Sequence, residues 1–150
     1  MGGEKEKPKG GCSDLIDRVS RLAEGELNVR GSHTRVGEAE IYSVRVSLGG
    51  VAAIVGVACD ESNGLSASAS LLYSNIKRSV DTLEWLLIYN YHSPGYWLLV
   101  DEGGERVLTY IVTPSDPWDP EAALLALTYA AKALADAASI LGAEDGGEGA

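Results

Sequence analysis

The 150-residue sequence predicts an α+β fold: an antiparallel sheet of about five strands with helices packed on it. Three observations lead there. Apolar residues recur at helical spacing near the start, the middle and the end of the chain. Between these segments lie others in which apolar and polar residues alternate. The alternating segments are joined by short links, which suit hairpins and therefore antiparallel pairing. The predicted order is α-β-β-β-α-β-β-α.

The first helix spans residues 13–24. Ser13 is positioned to cap it, and Leu15, Ile16, Val19, Leu22 and Ala23 form its apolar stripe. Gly25 stands where a terminating glycine belongs. Residues 27–36 are the next strand candidate, with Leu27, Val29 and Val36. Residues 39–48 alternate clearly. Tyr42, Val44, Val46 and Leu48 share one face, while Ser43, Arg45 and Ser47 share the other. Gly49-Gly50 reads as a two-residue hairpin turn. Residues 51–59 are apolar on both faces, as a central strand is.

A long second helix is expected over about residues 66–91. Leu72, Ile76, Val80, Leu83 and Leu87 make its main stripe, with Lys77, Asp81 and Glu84 opposite. Trp85, Ile88 and Tyr89 fall nearer that polar face. Ser93-Pro94-Gly95 ends it. A hairpin follows: Tyr96–Asp101, a turn at Gly103-Gly104, then Glu105–Thr113. The third helix opens at Asp119-Pro120-Glu121, a favourable cap, first position and first turn. It runs to Leu141 and stops at Gly142. Residues 1–11 and 142–150 read as disordered tails around a single domain, residues 12–141.

The formal net charge is −10, from 12 basic and 22 acidic residues. Three acids lie in the last nine residues, and the first eleven carry a net +1. Most of the negative charge therefore belongs to the folded body. Such a domain is a poor candidate for nucleic acid, whose phosphates need a basic patch. No apolar run is long enough for a transmembrane helix, and no apolar core follows the first residues as a signal peptide requires. A cytoplasmic protein that touches neither membrane nor nucleic acid is expected.

The third helix is the most informative segment. From Ala122 to Leu141 it carries only two charges, Lys132 and Asp136. A helix covering one sheet face needs an apolar stripe of only about 100°. Either this helix is sandwiched within the monomer, or its outer face meets a partner or a second copy. Leu127, Ala131 and Leu134 are the partner candidates there. Trp85, Ile88 and Tyr89 are the candidates on the second helix.

Chemical motifs are scarce. His33 and His92 are far apart in sequence, no CxxC or HxxxH occurs, and neither a metal nor a cofactor is expected. His92 beside Ser93 is the one tempting catalytic pair, but adjacent residues rarely meet in working geometry. The acidic pairs Asp60-Glu61, Asp101-Glu102 and Asp116/Asp119 fall at turns. No catalytic residue is assigned, and the chain reads as a non-enzyme. Cys12 and Cys59 could bridge the first helix to the third strand. The absence of Gln and the single Met suggest a heat-adapted source, in which intracellular bridges do occur.

Leu86-Leu87-Ile88-Tyr89-Asn90 at a helix end is followed by Gly95, an alternating strand to Asp101-Glu102, a glycine turn, a strand to Val112 and a long last helix. This pattern resembles the type III secretion chaperone-like superfamily, including its YbjN-type branch. The resemblance implies a small, acidic, commonly dimeric binding protein that holds extended segments of a client chain. The central helix then lies at the dimer interface, which gives Trp85, Ile88 and Tyr89 a use. The first expectation is thus a protein–protein interaction module, a homodimer or a holder of a client. A second is a small-molecule sensor or an enzyme, with a pocket lined by Tyr91, His92, Tyr96, Trp97 and Tyr110.

Overall fold

A computed structural model describes residues 7–48, 51–72 and 80–139. The elements are α1 (Gly11–Glu26), β1 (Ser32–Val36), β2 (Ala39–Leu48), β3 (Val51–Asp60), β4 (Gly64–Leu72), α2 (Val80–His92), β5 (Tyr96–Glu102), β6 (Glu105–Val112) and α3 (Pro120–Ala137). The strands form one antiparallel sheet in the order β1-β2-β3-β4-β6-β5. The α+β class is as predicted, with one strand more.

That strand is β4. Residues 66–72 were expected to open the central helix. Instead Leu65, Ala67, Ala69 and Leu71 point into the core, while Ser66, Ser68 and Ser70 alternate outward. Ala and Ser carry little hydrophobic contrast, so the period of two is easily read past. The hairpin signal is Asn63-Gly64, at which Asn63 N–H bonds back to the Asp60 carbonyl. The predicted Gly49-Gly50 turn and the stripe residue Ile76 lie outside the described residues.

All three helices lie on one face of the sheet. α1 covers β2 and β3, α3 covers β3, β4 and β6, and α2 covers β5. Between helices and sheet lies one core, built from Val19, Tyr42, Val57, Leu65, Tyr110 and Leu134 among others. The register places Val57 opposite both Tyr42 and Ala67, so this row spans three strands of the core face.

Several local details differ from expectation. α1 begins at Gly11, and Ser13 does not cap it. The cap comes from across the fold: Glu61 Oε2 accepts from Cys12 N–H at 3.1 Å. Glu61 also pairs with Lys7 at 2.8 Å, which holds Lys7 of the expected tail at the β3–β4 turn. Gly25 lies inside α1. The left-handed residue past its end is Asn28, with φ 56°. β1 is shorter than the 27–36 candidate and exposed throughout. At α3 the expectation holds, with Asp119 accepting from Glu121 N–H at 3.1 Å and Pro120 in the first position. Its predicted end at Leu141 lies outside the described residues.

Candidate functional site

α2 is apolar nearly all round, and its neighbours decide which side faces inward. Leu86 is buried, and Trp85 and Tyr89 pack partly against the core. Tyr89 meets Tyr110 edge-on at 5.8 Å, and Tyr110 meets Trp97 at 5.2 Å. Asn90 closes the end of the helix onto the edge strand. Its amide accepts from Trp97 N–H and donates to the Trp97 carbonyl at 3.1 Å, as a neighbouring strand would. This corrects the predicted faces: Leu83 and Leu87 are outside, and Trp85 and Tyr89 are inside.

The outer face is a contiguous apolar line. Leu83, Leu87 and Tyr91 are 53 %, 68 % and 84 % exposed, at spacings of four, and Ile88 beside them is 60 % exposed. Of the expected partner residues, Ile88 lies on this face. Trp85 and Tyr89 serve the fold. On α3, Leu127 and Leu134 are buried within the chain and Ala131 is exposed. The outer strip of α3 is instead Leu125, Tyr129, Ala131 and Ala135. The third helix is thus covered by α1 and the sheet, meets α2 through Tyr89 and Asp136, and is open along one side.

The five residues expected to line an aromatic pocket do not converge. Trp97 and Tyr110 are buried on the core face, while Tyr96 belongs to the opposite face and is half exposed. Tyr91 and His92 stand outside at the end of α2, edge to face at 4.9 Å. Tyr110 has a structural task. Its hydroxyl accepts from Gly95 N–H at 2.8 Å and donates to Ser93 Oγ at 2.7 Å. Ser93 in turn donates to the Gly95 carbonyl at 3.0 Å. The Ser93 hydroxyl is therefore engaged with Tyr110 and Gly95, not with His92.

The other chemical candidates are also accounted for locally. His33 Nε2 lies 2.6 Å from Glu40 Oε1, and Arg35 approaches the second Glu40 oxygen at 3.4 Å. Asp60 accepts from Ser62 N–H, which holds its carboxyl below the usual range. The hydrogen bond from Lys7 does the same for Glu61, helped by Cys12 N–H. Asp101 pairs with Arg106 across the β5–β6 hairpin, and Asp116 accepts from Trp118 N–H. The side chain of Glu102 lies outside the described residues. Cys12 and Cys59 form a disulfide that ties α1 to β3. Among the described residues no group of three or more His, Cys, Asp or Glu side chains converges on a metal position. None of the described helices is long and apolar enough to cross a membrane.

The sheet face opposite the helices is the feature that sequence reasoning passed over. Its centre is small and hydroxylated: Ser43, Gly56, Ser66, Ser68, Ser70 and Thr109 share this side by register. Ser70 and Thr109 hydroxyls meet at 3.1 Å. No described helix lies on this face. Two adjoining concavities occur along it, sharing Arg45 as a wall. The outward alternation of β2 was visible in the sequence, but Arg30 lies outside any clear periodic segment.

No protein-family model matches the chain, and no curated protein matches it.

Proposed function

We propose that this protein is a binding module that acts by protein–protein association, with α2 as its docking element and a second copy of the chain as the occupant. The observation that carries this reading is the outer face of α2. Four large apolar side chains stand exposed there in one patch, with Glu84 as the charged neighbour. Such patches on small domains mark interaction surfaces. Charge opposes a second copy least at this place. Two molecules of net charge −10 repel one another generally, so they meet best where the surface is least charged. An isologous pair would lay Leu83, Leu87 and Tyr91 of one α2 against the same residues of the other.

The resemblance to secretion chaperones extends this reading to holding a client chain, with α2 at the dimer interface. The Cys12–Cys59 bridge fits the cytoplasm of a heat-adapted cell, where such bonds persist.

Light scattering at high micromolar concentration tests the association. A dimer is expected for the natural chain, and a monomer with unchanged circular dichroism for the Leu87→Glu/Ile88→Glu variant. A strictly monomeric natural chain would overturn the reading.

A further inference from the structure

Six arginines lie among the described residues. Four of them pair with a carboxylate: Arg18 with Asp14, Arg21 with Asp17, Arg35 with Glu40 and Arg106 with Asp101. The two that make no ion pair among the described residues, Arg30 and Arg45, line the same concavity. That is unexpected in a chain with 22 acidic residues, where any exposed guanidinium has carboxylates to choose from. The register makes it sharper. Ser32, where β1 begins, pairs with Ser43, so Arg30, two residues before β1, and Arg45, two residues past Ser43 in β2, lie at the same end of this pairing. Like charges lining one small space repel unless a counter-charge sits between them.

The remaining walls suit an anion. Ser32, Thr34 and Ser43 contribute hydroxyl donors, and Gly31 completes the lining of a space of about 380 Å³. Guanidinium groups with neighbouring hydroxyls are the donor set that carboxylate and phosphate oxygens take. Next to this polar space lies a second of about 390 Å³, with Arg45 in common. Its walls include Ala52, Ile54, Leu72 and Val107, with Ser70 and Glu105 as polar neighbours. Glu105 repels an anion from that side, so the charged end of a ligand belongs between Arg30 and Arg45.

We propose that Arg30 and Arg45 hold the carboxylate or phosphate head of a soluble amphipathic anion, whose apolar body lies along Ile54, Leu72 and Val107. The site is on the sheet face away from α2, so its occupancy is independent of association through that helix. A head group and an apolar body together explain why a polar and an apolar concavity adjoin at one arginine.

Titration calorimetry of the full chain with octanoate, with inorganic phosphate and with phosphatidylglycerol vesicles tests the proposal. Octanoate is expected to bind saturably, one per chain. The Arg30→Gln/Arg45→Gln variant should bind it about tenfold more weakly or worse, given what charge-assisted bonds contribute. Both side chains are exposed and make no ion pair among the described residues, so this variant keeps its fold. The Arg18→Gln/Arg21→Gln variant loses the same charge elsewhere and should bind as the natural chain does. Equal binding of octanoate by the Arg30/Arg45 variant would overturn the site. Phosphate binding as tightly as octanoate would overturn the role of the apolar wall. Vesicle binding without octanoate binding would overturn a soluble ligand.

Discussion

The Tyr89 hydroxyl donates to Asp136 Oδ2 at 2.8 Å and so fastens α2 to α3. Burial, followed by the hydrogen bond and charge of Asp136, pushes the Tyr89 phenol above its ordinary value. The group therefore keeps its proton, and the bond, across ordinary working pH. Tyr89→Phe removes one charge-assisted bond while Asp136 retains Lys132 at 3.0 Å. The expected loss is about 1–2 kcal/mol in urea unfolding, with an unchanged denaturant slope. An unaltered midpoint would show that the packing of α2 alone holds it.

The disulfide spans 47 residues of sequence. Closing a loop of that length restricts the unfolded chain by about 4 kcal/mol in the chain-entropy picture, and measured gains run lower. The Cys12→Ser/Cys59→Ser variant should lose about 2–4 kcal/mol. Thiol titration in denaturant without reductant should find no reactive thiol per chain. Two would refute the bridge.

Glu61 and Asp60 make stability depend on acid. Both carboxyls are held below their ordinary values in the folded chain. Their contribution is therefore full above the unfolded-state values and is lost as pH falls through the folded ones. Stability of the natural chain should fall as pH drops below about 4.5, the ordinary glutamate value. Glu61→Gln should be less stable at pH 7, and the gap should close toward pH 2. Urea midpoints at several pH values measure this, and a gap constant with pH would exclude the Lys7–Glu61 pair as its source.

Gly95 sits where the chain passes under Tyr110. A Cβ there would collide with the Ile111 carbonyl oxygen and come within 2.8 Å of the Tyr110 ring. Neither can move freely, since Ile111 is in a strand and the Tyr110 hydroxyl bonds Gly95 and Ser93. Gly95→Ala should cost about 1–3 kcal/mol, the range for a forced shift in a packed core. Thermal unfolding reads the loss directly, and a midpoint equal to that of the natural chain would disprove the close approach.

What the sequence determined by itself is what local periodicity and turn chemistry encode. The stripe of Leu15, Ile16 and Val19 marks α1, and the alternation from Tyr42 to Leu48 marks β2. Asp119-Pro120 starts α3, and Gly103-Gly104, both with positive φ, turn the last hairpin. These are properties of neighbours along the chain, so no fold is needed to see them. Only the tertiary structure decided the rest. Alternating Ser and Ala in β4 carries too little contrast to choose a strand over a helix until β3 and β6 pair with it. α2 has large apolar side chains on every side, so its own pattern selects no inner face. Asn90, tied to Trp97, turns Leu86 inward and leaves Leu83 and Leu87 outside. Arg30 and Arg45 are fifteen positions apart in sequence and come together because the β1–β2 register brings them to the same edge. Burial and charge pairing are relations across space, and a one-dimensional pattern specifies them only once the sheet order is known.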